Sequence, residues 1–103
     1  MEKLVKKGNK FIAAEDIKTK GMSHWFKPYT GDFPTVIPKG TILIADDNQL
    51  EGTKGFYVVP ENYKGMEEKL VPKEIRTQEK YSNYSFVFMN TDIGKILKPI
   101  GEK

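Results

Sequence analysis

Three short apolar runs leave this chain few ways to fold: Thr41–Ala45 (TILIA), Phe56–Val59 (FYVV) and Tyr84–Met89 (YSFVFM). They are too short for stable helices and rich in β-branched and aromatic residues, which favours strands. Turn chemistry separates them. Pro38-Lys39-Gly40 precedes the first run, and Pro60 stops the second. Residues 46–55, with two Asp, an Asn and two Gly, read as a mobile loop between the first two runs. Those runs are therefore expected to pair as a hairpin. Side chains alternate along a strand, so Tyr84, Phe86 and Phe88 share one face while Ser85, Val87 and Met89 share the other. Ile42 and Ile44 likewise oppose Leu43 and Ala45. Strands apolar on both faces are usually covered on both sides. Ile42, Ile44, Val58, Phe86 and Phe88 are the expected common core.

The remaining segments are less regular. Residues 10–17 (KFIAAEDI) fit a strand or a short helix, and we read them as strand. Pro72 limits residues 66–80 to one or two short helical turns. At the C-terminus Thr91 can cap a helix and Asp92 suits its first turn. Ile93, Ile96, Leu97 and Ile100 then recur at helical spacing. The expected fold is mainly β, all-β or α+β, formed by a single domain over 1–103. It would be a small five-stranded, partly open barrel, SH3-like or OB-like, with a short C-terminal helix as a lid.

Composition narrows the function classes. Apolar residues make up 38% of the 103, enough for a modest core and too many for a disordered chain. The net charge of +3 comes from scattered Lys, with Arg76 the one Arg. The densest basic patch, Lys3, Lys6, Lys7 and Lys10, reads as a frayed, solvated end. A sequence-specific DNA reader relies on the planar fork of Arg, so one Arg argues against that class. Tyr84, Phe86 and Val87 match part of the aromatic strand signature of RNA-recognition domains, while Ser82, Asn83, Ser85 and Met89 depart from it. Nucleic acid is therefore a minor possibility. The chain has no Cys, which removes disulfides and thiolate chemistry. No run approaches a membrane span, and the N-terminus lacks a signal-type apolar stretch, so a cytoplasmic protein without membrane contact is expected.

Catalytic patterns are thin. Ser23, Ser82 and Ser85 are the serines and His24 is the one His, with no nucleophile-elbow motif around them. The carboxylate pairs Glu15-Asp16, Asp46-Asp47 and Glu67-Glu68 are sequence neighbours, which a strand would point to opposite faces. The Asp46–Gly52 stretch has Leu50 where a calcium loop needs an oxygen ligand, and no Glu closes the frame. No catalytic residue, metal site or cofactor is expected.

The stretch 21–33 (GMSHWFKPYTGDF) holds four aromatics among Gly and Pro. Read as a stiff loop, it either plugs a core or meets a partner. Phe26 and Phe33 are the expected core pieces. His24, Trp25, Lys27 and Tyr29 are the expected contact residues, since Trp and Tyr present an apolar body with a polar tip. The function expected is a non-enzymatic binding module for a protein partner. It would be of the kind that phages and mobile elements use to inhibit a host protein. The alternative is a small-molecule or nucleotide-binding protein, with a small anionic or aromatic ligand at the same residues.

Overall fold

The computed structural model describes residues 4–24, 31–79 and 81–100. Seven strands are present among them: β1 (Lys10–Ala13), β2 (Ile17–His24), β3 (Gly31–Ile37), β4 (Ile42–Ala45), β5 (Gly55–Pro60), β6 (Asn83–Met89) and β7 (Leu97–Ile100). Two short helices, α1 (Tyr63–Leu70) and α2 (Lys73–Arg76), lie between β5 and β6. All neighbouring strands pair antiparallel in the order β3-β2-β6-β5-β4-β1-β7. The fold is mainly β, but the sheet has seven strands where five were expected. It is open, ending at β3 and β7, and neither barrel type is recovered from its pairing. No helix among the described residues is long and apolar enough to cross a membrane.

One transverse row explains much of the packing. Val58 pairs with Phe86, Phe86 with Gly21, and Gly21 with Phe33, so the row crosses β5, β6, β2 and β3. Paired residues share a face, and Val58, Phe86 and Phe33 are all buried. Gly21 is the empty position in the row. A Cβ built there would lie 2.3 Å from Phe33 Cζ and 2.9 Å from Phe86 Cε1. The two rings close over the glycine edge to face, with centroids 6.5 Å apart. An aromatic covering a strand glycine restores the packing that the missing side chain gives up. Residues 21–24 and 31–33 are therefore paired strand, not loop. Glycine misleads a propensity reading here because its use is tertiary.

The expected core needs one correction. Val58, Phe86 and Phe88 are buried together, but Ile42 and Ile44 are half-buried on the opposite face, and Leu43 and Ala45 are the core residues of β4. Alternation separates the two sets of β4 without saying which faces inward. The register decides it, because Ala45 stands opposite Val58 and Leu43 opposite Pro60. The expected pairing of the first two runs is borne out as β4 against β5. The same buried face receives Phe11 and Ala13 of β1, Leu97 of β7, and Leu70 and Val71 from the end of α1.

The expected C-terminal helix is absent. Residues 90–92 form one 3-10 turn, and 97–100 form β7 against β1. Asp92 does reach back, accepting a hydrogen bond from the Met89 N–H at 2.9 Å, but Gly94 adopts φ +93° and breaks the helical path. Ile93 and Ile96 still pack on the core, so the apolar spacing is that of a turn leading into a strand. The N-terminal segment is not frayed from residue 4 onward. Val5 is buried, its N–H donates to Gln49 Oε1 (3.0 Å), and Lys10 pairs with Glu61 at 2.7 Å.

Residues 46–54 form the expected loop between β4 and β5, and Gln49 ties that loop to its neighbours. Its amide N–H donates to Val5 O (2.8 Å), and its side-chain nitrogen reaches Gly55 O (3.1 Å) and Asn90 Oδ1 (2.6 Å). Asn90 Nδ2 returns a bond to Gln49 Oε1 at 3.0 Å. One buried amide thus fastens the N-terminal segment, the 46–54 connection and the turn after β6. Leu50, next to it, is exposed.

Candidate functional site: a tyrosine-lined cleft on an uncovered sheet face

Strand β6 changes partners midway. It pairs with β5 from Gly55↔Met89 to Val58↔Phe86, while residues 83–86 pair with β2. Val59 and Pro60 therefore separate from Asn83–Ser85, and Tyr63, the first residue of α1, meets β6 there. Its phenol oxygen accepts the Tyr84 N–H at 2.9 Å, and the Tyr84 hydroxyl donates to Tyr63 O at 2.6 Å. The two rings stack with centroids 4.4 Å apart. Side chain thus replaces the missing strand-to-strand bond.

A cleft of about 540 Å³ lies at this divergence, lined by Asp46, Asp47, Tyr57, Val59, Tyr63, Asn83, Tyr84 and Ser85. Asp46 is held beside Tyr57 because its N–H donates to Tyr57 O at 2.9 Å. Asp47 uses one carboxylate oxygen to accept the Asn48 N–H at 2.8 Å. No hydrogen bond or ion pair engages the Asp46 carboxylate among the described residues. Its charge is felt across the cleft. Burial raises the Tyr63 phenol above its ordinary value, the Tyr84 N–H pulls it back, and the negative charges of Glu67 and Asp46 raise it again. Tyr84 is raised by burial and by Tyr63 and Glu67. Tyr81 is raised by burial and by donating to Glu67 Oε2 at 2.5 Å. All three phenols thus keep their protons further into the alkaline range than a free tyrosine does. The cleft offers ring faces and carboxylate acceptors.

The cleft opens on the second face of the sheet. Alternation and register place Ile12, Ile42, Ile44, Tyr57, Val59, Val87 and Met89 there. Tyr57, Val87 and Met89 are 51%, 38% and 46% exposed, and none of the seven belongs to the core cluster. Both-face apolarity had implied a cover on each side. Here α1 contributes Leu70 to the first face only. A second cavity of about 530 Å³ lies between the α1–α2 corner and β3, lined by Pro34, Val36, Pro38 and Pro72 with charges of both signs and no aromatic ring.

Of the residues expected to make contacts, Trp25, Lys27 and Tyr29 lie outside the described residues, as does Phe26. His24 is the last residue of β2, in register with Asn83. Phe33 is core, as expected. In sequence Asp46 and Asp47 read as an adjacent carboxylate pair and as part of an incomplete calcium loop, not as the wall of a cleft. The sequence reading missed Tyr57 and Tyr63. The available signal was Tyr57 alternating with the buried pair Phe56 and Val58. Among the described residues no group of three or more His, Asp or Glu is placed to hold a metal ion. No protein-family model, curated protein or solved structure matches this chain.

Proposed function

We propose that the chain is a non-enzymatic binding module that docks a protein partner on the second face of its sheet. The observation that carries this reading is the apolar surface of β1, β4, β5 and β6 outside the core, with Tyr57, Val87 and Met89 exposed on its β5–β6 side. Exposed apolar surface of this kind marks interaction sites in small proteins. The edges of the sheet are less inviting. β3 carries Pro34 and β7 carries Pro99, and a proline cannot donate to an added strand. Docking therefore uses the face and not strand addition.

The test places a photo-crosslinking residue at position 87 or 89 in the full chain and recovers covalent adducts from cells. The reading expects one protein adduct, competed by unlabelled wild type and not by Val87→Lys or Met89→Lys of unchanged melting temperature. Competition by both variants as well as by wild type would overturn it. Adducts only to further copies of the chain would replace a foreign partner by self-association.

A further inference from the structure

We propose that the cleft between β5 and β6 receives the guanidinium group of an arginine side chain from the docked protein. This rests on the reading of the sheet face as a docking surface and names the chemistry of the partner at its rim. The cleft combines three features that one ligand group satisfies together. Tyr57, half exposed, and Tyr63, partly exposed, supply aromatic surface on which a planar cation stacks, while the Tyr84 ring is buried against that of Tyr63. Asp46 supplies a carboxylate that no donor among the described residues engages, and Asp47 keeps an oxygen beyond the one held by Asn48. Asn83 adds a further polar side chain on the same wall. The chain as a whole is basic, at +3, so this acidic, aromatic pocket is a local exception to the charge of the molecule.

Arginine fits better than lysine for a geometric reason. The guanidinium is flat, weakly hydrated and carries a fork of donors, so it can lie on a ring while donating to a carboxylate. An ammonium is a compact, strongly hydrated point charge and uses only the carboxylates. The apolar surface around the cleft, with Val59 in its wall, would take the methylene stem of the arginine.

The experiment titrates the ¹⁵N-labelled full chain with N-acetyl-arginine amide, N-acetyl-lysine amide and N-acetyl-citrulline amide, following the backbone amide shifts. Citrulline keeps the planar shape and loses the charge. The expected result is a saturable shift at Asp46, Tyr57, Val59 and Asn83 with the arginine probe, a weaker one with lysine and none with citrulline. Asp46→Asn with Asp47→Asn should weaken the arginine probe at least tenfold without changing the melting temperature. If the pair lowers the melting temperature, Asp46→Asn alone carries the same expectation at about threefold. Equal shifts with citrulline, equal binding of lysine, binding unchanged in the Asn variants, or no saturable shift in the cleft would each overturn the proposal. Val87→Lys separates it from the docking reading. Loss of partner crosslinking in Val87→Lys without any arginine response refutes the cleft assignment alone. An arginine response in a chain whose crosslinking ignores Val87→Lys refutes the docking surface alone.

Discussion

Gly21 and Gln49 show how much single residues decide. Gly21 stands where Phe33 and Phe86 converge, and a methyl group there meets Phe33 Cζ at 2.3 Å. Removing backbone freedom by Gly21→Ala would ordinarily gain about 0.5–1 kcal/mol in a strand. The forced displacement of two buried rings costs about 1–3 kcal/mol or more and dominates. Gly21→Ala is therefore expected to lower the unfolding free energy by about 2 kcal/mol in a denaturant titration. Phe33→Leu added to it should be less harmful than the two single losses summed, because the substitutions share one space. Gln49 acts through polarity. Gln49→Ala removes the acceptor of the Val5 N–H and the partner of Asn90. The buried Val5 N–H, left without its acceptor, costs about 1–3 kcal/mol. We expect a loss of about 2 kcal/mol, with hydrogen exchange speeding up at Val5 and Asn90 before the central strands.

At the scale of elements, α1 is joined to the sheet through tyrosines. Tyr63→Phe keeps the ring that stacks on Tyr84 but deletes the acceptor of the Tyr84 N–H. A loss of about 1–3 kcal/mol is expected, with the melting temperature as readout. The same phenols give the fold an alkaline limit. Tyr63, Tyr81 and Tyr84 have raised proton affinity in the folded chain, with burial the first cause in each. Above the ordinary tyrosine value of 10.0 the unfolded chain binds fewer protons than the folded one, so stability falls as pH rises. This contribution is intact below pH 10 and declines above it. Phenolate absorbance of the three should therefore appear together with loss of tertiary structure in an alkaline titration. Ionisation of all three in a chain that stays folded would contradict the packing described.

At the scale of the molecule, the sheet has two apolar faces of different use. Phe86→Ala opens a hole in the row Val58–Phe86–Phe33 and should cost about 3–5 kcal/mol, a large share of the 5–15 kcal/mol typical of a domain. Ile44→Ala, on the second face, should cost about 1 kcal/mol, since its side chain is only half-buried. Equal losses in a urea titration with unchanged m-value would show that the second face is covered too. The edges complete the picture. Pro34 and Pro99 each remove one donor from an outer strand, and among the described residues no layer covers the second apolar face.

The sequence by itself determined the local conformations that depend on near neighbours. β-branched and aromatic runs gave the strands containing Ile42–Ala45, Phe56–Val59 and Tyr84–Met89, and Pro72 divided the helical segment into α1 and α2. It also set the two apolar faces of those strands, since alternation is a property of the backbone alone. Pairing decided the rest. Which face of β4 is core depends on Ala45 standing opposite Val58, a contact between distant residues. Leu97–Ile100 become strand because β1 offers a free edge, although their spacing also fits a helix. Gly21 sits in a strand because Phe33 and Phe86 fill its place. The cleft depends on β6 leaving β5 for β2, so its residues come from the 46–54 connection, β5, α1 and β6. No local pattern joins such residues, because only the pairing of distant strands brings Asp46, Tyr57, Tyr63 and Asn83 around one space.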